Sequence, residues 1–271
     1  MNFCSFIPTL TFLLFLMAGL TAPVTAEKKP TKMNATAQSE QPQGELIFLR
    51  DFGTDEVGYL AIPQQQPKAA VVVAHGKFGL NTNIRLLCDQ LARDGYLALA
   101  VDLFNGSVPA NAEEVEKYIN IYFSDATVSA LETGINFFKL SPRFKMEKVI
   151  LLGIGESAHN VLATAKKNRT LAGLTLLDPK VLPNADLMKE LGVPVLAFVS
   201  SERDVLINVD EISRDSGVAL RMERMPEVLF DDMKIFQRTV NERVWKPARS
   251  FWDTLEIPQR SITDKLIETV F

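Results

Sequence analysis

From residue 46 onward, short apolar runs alternate with stretches in which apolar residues recur every three or four positions. The first pattern suits strands and the second suits amphipathic helices. Leu46–Leu49 and Gly58–Ile62 predict two opening strands, paired antiparallel. Ala69–Ala74 is a continuous apolar run built on Val71, Val72 and Val73, as expected of a strand buried on both faces. Ile84–Arg93 has helical spacing and stops at Gly95, and Tyr96–Val101 is the next buried strand. Ala112–Tyr122 and Thr127–Leu140 read as helices, the second ended by Ser141-Pro142. Val149–Leu152 is a strand and Glu156–Lys167 a helix. Leu171–Leu176 and Val193–Val199 are further strands, separated by a helix at Ala185–Leu191. Val218–Met222 or Glu227–Phe230 supplies the last strand, and Asn241–Leu255 is a closing amphipathic helix. This alternation predicts an α/β fold with a mostly parallel central sheet and helices on both faces.

The two ends of the chain do not follow the alternation. Residues 1–26 carry no charged side chain, and an apolar run from Phe12 to Leu20 leads into Thr21-Ala22-Pro23-Val24-Thr25-Ala26. Small residues there match a signal-peptidase site, so residues 1–26 read as a secretory signal cut after Ala26. The rival is an uncleaved anchor over Phe3–Leu20, the one circumstance in which the membrane becomes a partner. No Cys follows the apolar run, which leaves no lipobox for a lipid anchor. Residues 27–44 are polar and form a flexible tether, 45–257 form the folded domain, and 258–271 form an exposed tail. Export ends in a periplasm or a secreted pool.

Composition narrows the chemistry. A net charge of −4 without a basic block excludes a nucleic-acid partner. Removing the signal leaves Cys88 as the sole cysteine, with no disulfide to form, in the apolar stripe of Leu86, Leu87 and Leu91. It reads as a buried inert thiol. The chain has two histidines, His75 and His159, and no grouped Cys and His ligands, so no metal site and no cofactor are expected.

Val149-Ile150-Leu151-Leu152-Gly153-Ile154-Gly155-Glu156-Ser157-Ala158 carries the form of a nucleophile elbow, a short strand turning through glycines into a helix. Three further segments go beyond a generic α/β pattern: Gly58-Tyr59-Leu60-Ala61-Ile62-Pro63, Val71-Val72-Val73-Ala74-His75-Gly76-Lys77-Phe78-Gly79-Leu80-Asn81, and Asp94-Gly95-Tyr96-Leu97-Ala98-Leu99-Ala100-Val101-Asp102-Leu103-Phe104. Together they resemble the dienelactone hydrolase family, from about Gly58 to Leu255. The resemblance implies the α/β-hydrolase fold and hydrolysis of esters or lactones. It implies a Cys or Ser nucleophile, an acid after a late strand and a His in a late loop. Asp204, after Val195–Val199, matches the acid. Phe230-Asp231-Asp232-Met233-Lys234-Ile235-Phe236 resembles the family segment "YDDM-HGF" and puts Ile235 where the His belongs. Gly155 stands at the nucleophile position.

Two of three catalytic side chains are therefore absent on this alignment, Gly155 and Ile235 being vestigial triad positions. In a Ser-His-Asp system, losing the nucleophile or the base costs roughly a millionfold in turnover. The first functional reading is an exported protein that binds a small ligand, or a protein partner, through the former active-site cleft. His75, Gly76, Lys77 and Phe78 form its pocket loop, where backbone N–H groups build oxyanion holes in related folds. His75 itself is expected to hold that loop by ring hydrogen bonds. The alternative is an ester or lactone hydrolase with a rearranged site: Ser157 as nucleophile, Asp204 as orienter, and His75 or His159 as base. Ser157 in the first helical turn, with Glu156 at the helix's positive end, is the architectural counter-reading. His159 is expected near the pocket floor. A third reading is a structural domain tethered to an envelope protein partner.

Overall fold

Val72 points to one face of the sheet while Val71 and Val73 point to the other, because side chains alternate along a strand. All three are buried, which requires a layer of helices on each side. The computed structural model supplies both layers. It describes residues 41–49, 57–201, 207–226 and 241–258, all within one compact unit, Ser39–Phe271.

The strands are β1 (Glu45–Phe48), β2 (Val57–Ala61), β3 (Ala70–Ala74), β4 (Leu97–Val101), β5 (Val149–Ile154), β6 (Gly173–Leu177), β7 (Val195–Ser200) and β8 (Leu220–Met225). They form one eight-stranded sheet in the order β1-β2-β4-β3-β5-β6-β7-β8. β1 pairs antiparallel with β2, and β2 antiparallel with β4. From β4 to β8 every pairing is parallel. The parallel strands β3, β4, β5, β6 and β7 are buried along their whole length, as their unbroken apolar runs require.

The connecting helices are α1 (Thr82–Arg93), α2 (Ala112–Glu116), α3 (Ile119–Tyr122), α4 (Asp125–Leu140), α5 (Ala158–Lys167), α6 (Ala185–Leu191), α7 (Val209–Ser216) and α8 (Lys246–Thr254). On one face, Val72, Leu99, Leu151 and Leu174 pack with Leu131, Ile135 and Phe138 of α4 and Val161 and Leu162 of α5. On the other, Val71, Val73, Leu152 and Leu196 pack with Ile84, Leu87, Cys88 and Leu91 of α1 and Phe251 and Trp252 of α8. Cys88 is a free, fully buried thiol, and that burial, the largest cause, together with the nearby Asp89 carboxylate, pushes its pKa up.

The expected alternation holds, and its boundaries move for local reasons. The helix expected over Ala112–Tyr122 is two short pieces, α2 and α3. The expected helix from Glu156 begins as a 3-10 turn, Gly155–Ser157, before α5. The last described strand is Leu220–Met225, later than Val218–Met222; Glu227–Phe230 lies outside the described residues. The closing helix is preceded by a π turn at Asn241–Trp245, and Pro247 sits in its first turn, where no intrahelical N–H is needed.

The chain's N-terminal entry and α8 are both fixed by buried polar groups. The Asp89 carboxylate accepts the N–H groups of Gln43 and Gly44 at 2.8 and 3.0 Å and the Tyr59 hydroxyl at 2.8 Å. The Trp252 indole N–H donates to Thr175 Oγ1 at 2.8 Å, and Tyr96 meets the Trp252 ring edge-on at 5.1 Å. The Tyr96 hydroxyl in turn donates to Asp253 Oδ1. Thr175→Val keeps the side-chain shape and strands the indole N–H in the core. It is expected to cost about 1–3 kcal/mol, read as a lower denaturant midpoint with an unchanged slope; an unchanged midpoint would show that the indole finds another acceptor.

Candidate active site

Where β5 ends, the chain reverses through Gly153-Ile154-Gly155-Glu156-Ser157 into α5. Gly153 lets the helix approach the strand: a Cβ there would stand 2.9 Å from the Ala158 Cα and 2.8 Å from a Val161 methyl. Gly155 has φ +61°, in the left-handed region, and a Cβ built on it meets no atom of the described residues within 4 Å. The apex of the turn is thus a glycine facing open space.

Ser157 closes the turn from beneath. It is fully buried, and its hydroxyl accepts the Ile154 N–H at 2.8 Å. Its own hydrogen faces two carbonyl oxygens, Ala74 O at 2.8 Å and Ile154 O at 3.0 Å. These partners are all backbone, and the Ala74 contact fastens the elbow to the end of β3. The left-handed residue of the reversal is Gly155, two positions before Ser157.

His75 follows β3 and is also fully buried. Its Nδ1 lies 2.8 Å from Gly76 O, and its Nε2 accepts the Leu103 N–H at 2.9 Å. That pairing assigns the neutral tautomer with the proton on Nδ1. Phe104 packs edge-on against the ring at 5.0 Å. His75 therefore couples the loop after β3 to the loop after β4. Asp102 completes this coupling by accepting the N–H groups of Phe104 and Gly106 at 3.0 and 2.6 Å. Burial opposes ionisation of Asp102, but its hydrogen bonds, the two N–H donors among them, outweigh it and hold the carboxyl below its ordinary range.

Lys77 and Phe78 are half-buried, with the Lys77 ammonium 5.4 Å from the Phe78 ring centre. Gly76 is buried beneath them. His159 corrects the expectation of a pocket-floor residue. It is exposed on the first turn of α5, with its ring 5.4 Å from Phe123, because the inward face of that turn is taken by Ala158 and Val161. Asp204 and Ile235 lie outside the described residues.

One residue at this edge was not anticipated from the sequence. Ladder partners are Ala74 with Gly153 and Ile154 with Leu177. Gly76 follows β3 and Asp178 follows β6, the two strands that flank β5. Asp178 holds φ +48°, donates its N–H to Phe198 O at 2.8 Å, and receives the Lys180 ammonium on Oδ2 at 3.3 Å. Its side chain is 16 % exposed. An acid directly after a buried strand and ahead of Pro179 was the available signal. Among the described residues, no group of three or more His, Cys, Asp and Glu could hold a metal ion.

An elbow after the fifth strand of a sheet ordered β1-β2-β4-β3-β5-β6-β7-β8 defines an α/β-hydrolase fold. The chain belongs to the dienelactone hydrolase family, which it matches over residues 57–226. A protein of Aquifex aeolicus provisionally named a carboxymethylenebutenolidase is 26% identical over 179 residues, covering 62% of this chain and 75% of that one. Among solved structures, a dienelactone hydrolase-like promiscuous phosphotriesterase from metagenomic libraries superimposes with TM-score 0.64 at 18% identity, covering 80% of this chain and 99% of that one. A dienelactone hydrolase from Anabaena variabilis gives TM-score 0.56 at 16% identity, covering 80% and 100%. At these identities the two structures speak for the fold.

The open apex has a measurable consequence. Gly155→Cys adds a side chain that meets no neighbour but must hold a left-handed backbone. The variant is expected to fold with a loss of about 1–2 kcal/mol in denaturant unfolding. A loss beyond about 4 kcal/mol would mean that the apex is crowded.

Proposed function

We propose that this protein binds a small ligand in the cleft at the C-terminal edge of its sheet, without the covalent hydrolytic chemistry of its family. The observation that carries the reading is Gly155, a glycine with left-handed backbone and open space above it, where the family's nucleophile belongs. The alignment of Ile235 with the family's His supports it from the sequence. The buried hydroxyl of Ser157 supports it further, since attack on a substrate would require giving up its hydrogen bonds to backbone groups. Both nitrogens of His75 are likewise occupied by backbone groups. The fold keeps the elbow and the loop after β3 whatever the chemistry.

The expected result is hydrolysis of a short activated ester at the buffer rate, together with no labelling of Ser157 by a serine-directed phosphonate. Turnover above buffer with label on Ser157 would overturn the reading and make the protein a working serine hydrolase.

The same proposal places the protein outside the cytoplasm, on the strength of the charge-free residues 1–26 and the small residues before Ala26. In an exporting host, intact-mass measurement is expected to find a chain beginning at Glu27. Full-length protein held in the membrane fraction would replace cleavage by anchoring.

A further inference from the structure

We propose that residues 261–271 form an amphipathic helix whose apolar face docks in a cavity of this same chain, at the edge of the sheet opposite the elbow. The inference is independent of what the cleft binds. The cavity has a volume of about 430 Å³ and is walled by Leu171, Ala172, Val193, Pro194, Phe251 and Leu255. Ala172 and Pro194 directly precede β6 and β7, so the cavity lies at the N-terminal ends of parallel strands. The elbow stands at a C-terminal end.

The path of the chain singles out the occupant. α8 ends at Thr254, and Leu255 is held against the sheet: a Cβ on Gly173, the first residue of β6, would stand 2.8 Å from a Leu255 methyl. Glu256, Ile257 and Pro258 continue along the cavity lining, so the segment that follows starts at its rim. Ile257 is 52 % exposed there and extends the apolar wall outward.

That segment has one apolar face. At about 100° per residue, Ile262, Leu266, Ile267, Val270 and Phe271 fall on one half of a helix. Asp264, Lys265, Glu268 and Thr269 fall on the other half. Ser261-Ile262-Thr263-Asp264 has the spacing of a capping box, which marks Ser261 as the helix start. A helix this short is marginal by itself in water, so its apolar face needs a surface to cover it. The connection from Leu255 to Arg260 is short, and short connections make consecutive helices neighbours. Such a tether also holds the segment at the cavity at a far higher effective concentration than a separate chain would reach. The cavity receives side chains of that face, Ile262 and Leu266 first because they lie nearest to Pro258 in sequence.

Lys265 lies in the middle of the segment and reports on docking, because trypsin cuts only the open form and its rate follows the open population. The purified full chain is compared with Ile262→Asp and Val270→Asp, which put a charge on the apolar face away from the cut bond. Ala219→Arg acts from the other side, filling the cavity from an exposed wall residue. Cleavage after Lys265, followed by mass, is expected to be about tenfold or more slower in the unaltered chain than in these three variants. Glu268→Gln, on the polar face, is expected to leave the rate unchanged. The protection is expected to be independent of protein concentration. The methyl NMR signals of Leu171 and Val193 are expected to move in Ile262→Asp and Val270→Asp, variants whose substitutions lie outside the sheet and its helices. Equally fast cleavage in every chain would overturn the proposal. So would protection that survives Ala219→Arg while the Leu171 and Val193 methyls stay in place in the two Asp variants, since the segment would then dock elsewhere. Protection lost on dilution would assign the cavity to a second copy of the chain instead. Protection seen only with anionic vesicles would make the segment a membrane-surface helix, and either result overturns docking within one chain.

Discussion

Where β5 passes into the helix behind it, the backbone must reverse within three residues while its polar groups are shut away from water. A buried N–H or carbonyl left without a partner costs about as much as a lost hydrogen bond. The Ser157 hydroxyl meets this constraint by accepting the Ile154 N–H and facing the carbonyls of Ile154 and Ala74. One side chain therefore closes the turn, starts the helix and joins β5 to β3. The rest of the sheet edge is arranged around that joint. Gly153 brings α5 against the strand, Gly155 takes the left-handed residue of the reversal, and His75 ties the loop after β3 to the loop after β4.

Those same bonds weigh against a rearranged triad. A nucleophilic serine needs an accessible oxygen and a base within hydrogen-bond reach. The Ser157 oxygen is buried among backbone groups, and the ring nitrogens of His75 are committed to Gly76 and Leu103. His159 faces solvent beside Phe123.

The fold was legible because its evidence is periodic. Val71 to Val73, Leu97 to Val101 and Val149 to Leu152 are apolar without interruption, and only a strand covered on both faces accommodates that. Boundaries were less legible, since a 3-10 turn at Gly155–Ser157 and a break after Glu116 depend on tertiary packing more than on local preference. The elbow register was legible from the glycines, because a left-handed apex and a close helix approach both select against side chains. The orientation of His159 was not, as one helical position separates a residue facing the sheet from one facing solvent. Asp178 was missed for another reason. Its place next to the elbow strand follows from the pairing of Leu177 with Ile154, a relation between strands more than twenty residues apart in sequence.

A turn of this kind also has a physical reason to carry glycine at its apex. Any side chain at the apex must hold a left-handed backbone, at a cost of roughly 1–2 kcal/mol for an L-residue, and an active enzyme carries that strain as part of its mechanism. Glycine removes the strain and leaves the surrounding bonds untouched, because the reversal is held by Ser157 and by the packing at Gly153 rather than by the apex residue. Glycine at the apex therefore leaves the reversal unstrained. The joint between β3, β5 and α5 is thus independent of the residue at the apex, since its bonds come from Ser157 and its close packing from Gly153.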